Sequence, residues 1–207
     1  NDPGVHIYNT STINAGTGNV SITGNSYGNP GVQLAGSTNG LTTVTGNQAS
    51  ISGQTSMGST GLMMDTADVT ATGGLNITAT NGGLLLKTSK VSNSGSGPTT
   101  LTTSSNGTAG ITIDANSSVS ATASEIQLTT DRIQLDGTVN AGINRVVIKP
   151  RDTTRTVTLG GTDAGNYTVT QPTGLTADID RAALQITAND ASKTQGDALV
   201  LNGSPGF

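Results

Sequence analysis

The sequence of 207 residues contains no cysteine and no tryptophan, and aromatic residues make up 2% of it. Without cysteine, the disulfides on which small secreted domains often depend are absent. Charged residues reach only 11% and there are 6 prolines, whereas disordered chains are usually rich in both. We therefore expect a folded chain that is stabilised by backbone hydrogen bonds and a stacked aliphatic core.

Positive charge is also scarce, since the net charge is −4 and no Lys or Arg precedes Lys87. A phosphate-binding surface needs clustered cations, so nucleic acid is excluded as a partner. The densest basic stretch holds Arg145, Lys149, Arg151 and Arg155. We interpret it as a solvated face, with a ligand site as the alternative. Neither a signal peptide nor an apolar run of about 18 residues is present, and no membrane insertion is predicted.

The residues that are abundant belong to strands and turns. There are 29 glycines, and Thr, Ser and Asn surround regularly spaced Val, Ile and Leu. β-Branched residues fit a pleated strand, while Gly and Asn accept the positive φ of tight turns. The composition predicts an all-β chain.

An apolar-x-apolar box recurs along the chain at intervals of 22 to 30 residues. Each box is followed by a second short strand and, in most copies, by a third. The boxes open at Gly4, Gly31, Gly61, Gly83, Gly110 and Arg132. The second strands are centred on Ile13, Val44, Val69, Val91, Val119 and Val139. The third strands cover 19–24, 48–53, 75–80, 99–104, 124–130 and 145–150.

Three short strands in each repeat are typical of one turn of a parallel β-helix. We predict a right-handed parallel β-helix of about six coils, roughly 30 Å long at about 4.8 Å per coil, with Asn or Thr side chains stacked at the turns. The inward pairs are predicted to be Val5/Ile7, Val32/Leu34, Leu62/Met64, Leu84/Leu86, Ile111/Ile113 and Ile133/Leu135. The outward positions between them are His6, Gln33, Met63, Leu85, Thr112 and Gln134.

The alternative fold is a sandwich of short antiparallel strands. It would place Asn-Gly turns between paired strands, and such pairs occur at Asn39-Gly40, Asn81-Gly82 and Asn106-Gly107. These pairs fall at similar phases of the repeat, where a solenoid turns. The periodicity therefore favours the β-helix.

Residues 4–150 resemble the repeats of filamentous-haemagglutinin-like adhesins that are exported by two-partner secretion. The resemblance lies in runs such as GLNITATNGG and SEIQLTTDRIQLDGTVNAG. It implies a right-handed β-helix in a secreted or cell-surface protein of a Gram-negative bacterium. It also implies a structural or adhesive role, with a surface carbohydrate or protein as partner. Unpaired strands at the two ends predict head-to-tail self-assembly.

The C-terminal part differs, and we predict a boundary between residues 1–155 and 156–207. The runs DAGNYTVT, TADIDRAALQITAN and ASKTQGDA resemble the Gly-rich modules, of the MBG and YDG type, found in the stalks of such adhesins. Those modules commonly carry an aromatic residue where Gln195 stands here. Residues 156–207 are either a truncated module or a cap for the solenoid, and we expect the chain to be a piece of a longer protein.

The sequence offers little for catalysis, and we predict no catalytic, cofactor-binding or metal-binding residue. His6 is the single histidine and lies in a box with its side chain outward. Without a second histidine or a cysteine, a zinc site has no support. A Ser-His-Asp triad lacks support for the same reason.

The enzyme alternative is a polysaccharide lyase or glycoside hydrolase, which needs paired carboxylates. Asp114 and Asp136 occupy equivalent positions directly after consecutive boxes. Asp65 follows its own box in the same way, but in the coil between Asp65 and Asp114 the equivalent residue is Lys87. Aspartate is also an ordinary turn residue, and we favour the turn. The other acidic and basic residues considered are Glu125, which is the single glutamate, and Asp131 with Arg132.

A third alternative is an ice-binding β-helix, in which Thr-x-Thr pairs share one flat face. Such pairs occur at Thr70/Thr72, Thr100/Thr102 and Thr156/Thr158. Ice binding would need such pairs on one face in every coil, and coils of 22, 27 and 30 residues break this regularity.

Overall fold

The computed structural model describes residues 2–104, 109–151, 157–161 and 195–196, and within them all regular structure is β. Strands form where β-branched and aliphatic residues alternate with polar ones, and turns form at the Gly, Asn and Ser runs between them. In chain order the strands are β1 (Val5–Tyr8), β2 (Thr12–Asn14), β3 (Val20–Ser26), β4 (Val32–Ala35), β5 (Thr42–Thr55), β6 (Thr60–Asp65), β7 (Ala67–Thr80), β8 (Gly83–Lys87), β9 (Lys90–Asn93), β10 (Thr99–Thr103), β11 (Ile111–Ile113), β12 (Ser118–Ala121), β13 (Ile126–Thr129), β14 (Arg132–Leu135), β15 (Thr138–Asn140), β16 (Val146–Lys149) and β17 (Thr158–Gly160).

The strands stack in parallel as a β-solenoid of about six turns. The first strand of every coil belongs to one sheet, in the order β1-β4-β6-β8-β11-β14-β17. The second and third strands belong to the other sheet, in the order β15-β12-β9-β7-β10-β13-β16, with β5 pairing β2, β3 and β7. Every pairing between these strands is parallel, so the solenoid is confirmed and the sandwich is wrong.

The inward columns predicted from the boxes are confirmed by the register. In the first-strand sheet, each coil places the same box position beside its neighbours. The aligned residues are Val5, Val32, Leu62, Leu84, Ile111 and Ile133, followed by Leu159 of β17. The second strands align Ile13, Val44, Val69, Val91, Val119 and Val139.

Burial follows these columns. Leu34, Met64 and Leu86 are each 0% exposed, and the inward side chains of the other columns are also buried in the middle coils. In the first coil Val5 and Ile7 are only half-buried, because no further strand covers that end among the described residues. Head-to-tail association through the ends stays a prediction.

Two features differ from the expected coil. In the second and third coils the second and third strands are continuous, since β5 and β7 each span 14 residues. The Asn-Gly pairs also do not share one corner. Asn39-Gly40 lies between the first and second strands, where Ser37 and Gly40 form an antiparallel bridge, whereas Asn81-Gly82 lies between the third and first strands. Asn106-Gly107 lies outside the described residues.

Hydroxyl groups satisfy the backbone at the corners inside the solenoid. The amide of Ala67 donates to Ser89 Oγ at 3.1 Å, and the amide of Ser89 donates to Ser117 Oγ at 3.0 Å. At another corner Thr103 Oγ1 donates to Thr130 Oγ1 at 2.8 Å. Because buried polar backbone groups need partners, these stacked hydroxyls let the chain turn without leaving bonds unmade.

The corner that follows the first strand uses a left-handed residue in several coils. Asn9, Thr66 and Thr88 occupy this corner, with φ values of 61°, 57° and 48°. Asparagine tolerates this region, but a β-branched residue is a genuine outlier there. The two threonines are therefore held in strained backbone by the stack around them.

We expect Thr88→Asn to raise the free energy of unfolding by about 1 kcal/mol, because it removes the left-handed strain on a β-branched residue. Thr88 is exposed, so the substitution disturbs little packing. Urea unfolding followed by circular dichroism measures the change. As a control, Thr138→Asn changes an exposed threonine in ordinary strand geometry and should not stabilise. Equal effects at both sites would contradict the strain.

The chain divides into two compact units, Asn1–Thr168 and Val169–Phe207. The solenoid lies in the first unit, and β17 continues its first-strand sheet beyond the predicted boundary at residue 155. In the second unit only Gln195 and Gly196 are described, and they form a turn. Whether 156–207 is a cap or a truncated module stays a prediction.

Candidate functional site

The single histidine lies on the surface of the first coil. His6 is exposed, and its ring contacts that of Tyr8 with the ring centroids 5.0 Å apart. Its outward direction is as predicted. No group of three or more His, Asp or Glu side chains in the described ranges is arranged to hold a metal ion.

The aspartates after the boxes act as turn and pairing residues. Asp114 Oδ1 accepts from the amide of Asn116 at 3.1 Å and from Ser117 Oγ at 2.6 Å, which is the turn arrangement expected from the sequence. In the neighbouring coils Lys87 Nζ contacts Asp65 Oδ2 at 2.8 Å. The hydrogen bond that Lys87 donates to Asp65 raises the pKa of Lys87 above its ordinary value, and the Asp65 and Asp114 charges raise it further.

The basic side chains contact acceptor groups of the preceding coil. Arg145 Nε contacts Glu125 Oε2 at 2.7 Å, and Lys149 Nζ donates to Gln127 Oε1 at 3.2 Å. The bond from Arg145 lowers the pKa of Glu125, with a further contribution from Gln127.

The next cation follows the same pattern, since the amide of Arg151 donates to Asp131 Oδ1 at 3.0 Å and the two side chains approach within 4.0 Å. Arg155 lies outside the described residues. These cations therefore serve contacts between coils.

A groove of about 220 Å³ crosses the first-strand sheet beside Arg132. Its lining includes Leu85, Thr112, Gln134 and Ser59. Gln134 Nε2 is bonded to Asp136 Oδ2 at 2.7 Å. No carboxylate is among the described residues that line the groove, so the groove does not contain the acid pair that glycoside hydrolysis needs.

The Thr-x-Thr pairs lie on different strands of the coil. Thr70 is on a second strand, Thr100/Thr102 are on a third strand, and Thr158 is on a first strand. Thr156 lies outside the described residues.

The strand register shows which residues of the neighbouring coils lie beside Thr100 and Thr102. Two outward rows run across the third strands of five coils and contain only Ser, Thr, Asn and Gln. We call them the hydroxyl-amide face, and its residues are Ser21, Ser50, Asn76, Thr100 and Gln127 in one row and Thr23, Ser52, Thr78, Thr102 and Thr129 in the other.

The face is regular and partly ordered by its own hydrogen bonds. Neighbouring coils lie about 4.8 Å apart, and the two rows about 7 Å apart, because alternate strand residues point the same way. Thr100 Oγ1 donates to Asn76 Oδ1 at 2.7 Å, and Thr78 Oγ1 lies 3.5 Å from the same atom. Both hydroxyls contact the Oδ1 atom of Asn76, so these bonds do not use its Nδ2 group. In the sixth coil Val147 and Lys149 end the pattern.

A shallow trough of about 480 Å³ borders the face across the second, third and fourth coils. Ser50, Asn76 and Thr100 form its side towards the face, and Gly74 and Pro98 form its margin. The trough exists because Gly74 has no side chain where the aligned residue of the preceding coil is Gln48.

Neither the hydroxyl-amide face nor the trough was found from the sequence. In short runs such as SIS, NIT and TLT, polar and apolar residues alternate as expected for a strand. Whether such runs lie side by side in neighbouring coils depends on the length of every corner between them. A signal did exist, because none of the ten outward positions of this face holds a charged residue, and Lys149 occupies the equivalent position only in the sixth coil.

Within the described residues, no helix is long and apolar enough to span a bilayer.

Comparison with protein-family models, with curated proteins and with solved structures finds no match to the chain.

Proposed function

We propose that the chain is a structural and adhesive module of a secreted or surface adhesin of a Gram-negative bacterium. In this role the solenoid is a rigid element that holds an outward face in a fixed position for attachment. The observation that carries the proposal is the parallel stack of about six coils, whose inward columns stay aligned around a closed aliphatic bore.

The distribution of polar groups supports the same role. The charged side chains of Lys87 and Arg145 pair with acidic residues of the preceding coil. Repeat proteins of this kind present extended surfaces because each repeat contacts only its neighbours. A surface that repeats along the rod suits attachment better than it suits a single catalytic centre.

The test displays the chain on a bacterial strain that does not adhere, and measures retention under flow. The surfaces carry a neutral polysaccharide, a mucin-type glycoprotein or collagen. We expect cells with the wild-type chain to be retained more than cells with Leu86→Asp, because a charge in the bore unfolds the solenoid. Leu85→Asp places the same charge on the outer surface and is the matched control.

Equal retention of wild-type and Leu86→Asp cells on all three surfaces would contradict an adhesive role. The enzyme alternative has its own readout, the release of sugars from polysaccharides by the purified chain. Release by the wild type, lost in Leu86→Asp, would replace the proposal by a carbohydrate-active function.

A further inference from the structure

The hydroxyl-amide face differs in charge from the other two faces of the solenoid. Asp65 and Lys87 lie on the outer side of the first strands, and Asp68 and Lys90 lie on the outer side of the second strands. The ten residues of the hydroxyl-amide face include no ionisable group. Its chemical complement is a partner that is uncharged and that offers hydrogen bonds at regular intervals.

The trough beside this face contains a glycine that packing does not require. A Cβ placed on Gly74 would meet its nearest neighbour, the carbonyl oxygen of Pro98, at 3.6 Å. By contrast, a Cβ on the adjacent Gly73 would lie 2.5 Å from Asn47 Oδ1. Glycine inside a strand weakens it and marks a place where a ligand or another backbone approaches closely. The nearest backbone atoms, those of Gly97 and Pro98, lie 3.6 to 3.8 Å from a Cβ at Gly74, which is ordinary van der Waals contact. A side chain would therefore be tolerated there, and the glycine leaves the trough open.

We propose that the hydroxyl-amide face binds a neutral polysaccharide chain, which lies across the coils in the trough beside Gly74. The proposal rests on the proposed function, because it names the ligand class of the adhesive module. An extended sugar polymer offers hydroxyl groups at each ring, and the Ser50, Asn76 and Thr100 row offers a partner in each coil. Because Thr100 Oγ1 donates to Oδ1 of Asn76, this bond leaves the Nδ2 group of Asn76 as a donor for the sugar.

The concave trough favours a polymer chain over an ice lattice. An ice-binding surface must be flat over its whole width, whereas a trough of about 480 Å³ recesses one side of this face. Binding between uncharged groups is also independent of salt, because screening acts on charges.

The experiment measures binding of the full chain to soluble galactomannan and mixed-linkage β-glucan by affinity electrophoresis, and to cellulose and chitin by sedimentation. Polygalacturonate is the charged comparison. We expect retention by at least one neutral polymer, equal at about 0.1 M and about 1 M salt, and no retention by polygalacturonate. Gly74→Thr fills the trough and should weaken binding by about tenfold or more.

Two further variants keep the test sharp. Gly160→Thr is the matched control, because a Cβ there has 3.9 Å of space on a first strand away from the trough. It should leave binding unchanged. Thr100→Val removes one hydroxyl while keeping the shape of the side chain, and should weaken binding by a smaller factor. Melting curves check that all three variants fold.

Failure to bind any of the four neutral polymers would overturn the proposal, as would binding that falls with salt or that Gly74→Thr leaves intact. Inhibition of ice recrystallisation without polysaccharide binding would also overturn it in favour of ice. In the adherence test, retention of Gly74→Thr cells equal to wild type, with loss in Leu86→Asp, would reject this face while the adhesive function stands.

Discussion

Leu86→Ala should lower the free energy of unfolding by about 3 kcal/mol, which is within the usual range for replacing a buried leucine by alanine. Leu86 is 0% exposed and lies between Met64 and Ile113 in the first-strand column. Parallel ladders fix the spacing of the coils above and below. The walls therefore cannot collapse into the space left by the missing atoms, and the cavity cost is kept.

The control for this prediction is the preceding residue. Leu85 has the same side chain but points outward and is half-buried, so Leu85→Ala should cost no more than about 1 kcal/mol. Urea unfolding of both variants, with the slope checked for equality, gives the comparison. A larger loss at Leu85 than at Leu86 would mean that the strand is shifted by one residue, since such a slip exchanges the two faces.

Gly31→Ala should cost about 3 kcal/mol or prevent folding, although it adds a single methyl group. A Cβ on Gly31 would overlap the backbone nitrogen and oxygen of Gln54. Backbone atoms in a ladder cannot rotate away as a side chain does. The amide of Gly31 also donates to the carbonyl of Gly61 at 2.8 Å, so any shift of the strand breaks a bond between coils.

Gly74→Ala is the matched control for this second prediction. Space at Gly74 accommodates a methyl group, so alanine should raise stability by about 0.4 to 1 kcal/mol by restricting the unfolded chain. Far-UV circular dichroism and thermal melting separate the two outcomes. If both substitutions changed the melting temperature equally, the close approach at Gly31 would be wrong.

The coil could be predicted from the sequence because its signals are local. The Leu84-Leu85-Leu86 run has no polar residue to mark its outward member, yet the neighbouring boxes set the phase and assign Leu85 outward. The second-strand valines were placed correctly by the same reasoning. In each case the alternation has a period of two, which any short strand displays on its own.

Other features depend on contacts between coils and escaped prediction. Thr66 and Thr88 adopt left-handed backbone that the residue type disfavours, so tertiary packing overrides local preference there. The long β7 runs through a corner that the sequence marks with Gly73 and Gly74, because a bulge can absorb glycines without ending a strand. The hydroxyl-amide face is made of residue types that are equally common in turns. Only the strand register shows that these copies lie on strands and face outward.

The corners absorb differences in coil length while the register returns to the same column. Coils that open at Gly61 and Gly110 are shorter than the one that opens at Gly31, yet all three place equivalent residues side by side. Because each coil contacts only its neighbours, we expect that inserting or deleting a whole coil needs no compensating change elsewhere. Each event would alter reach by roughly 4.8 Å, so natural selection could adjust the length of the molecule in fine steps while its lateral surfaces persist.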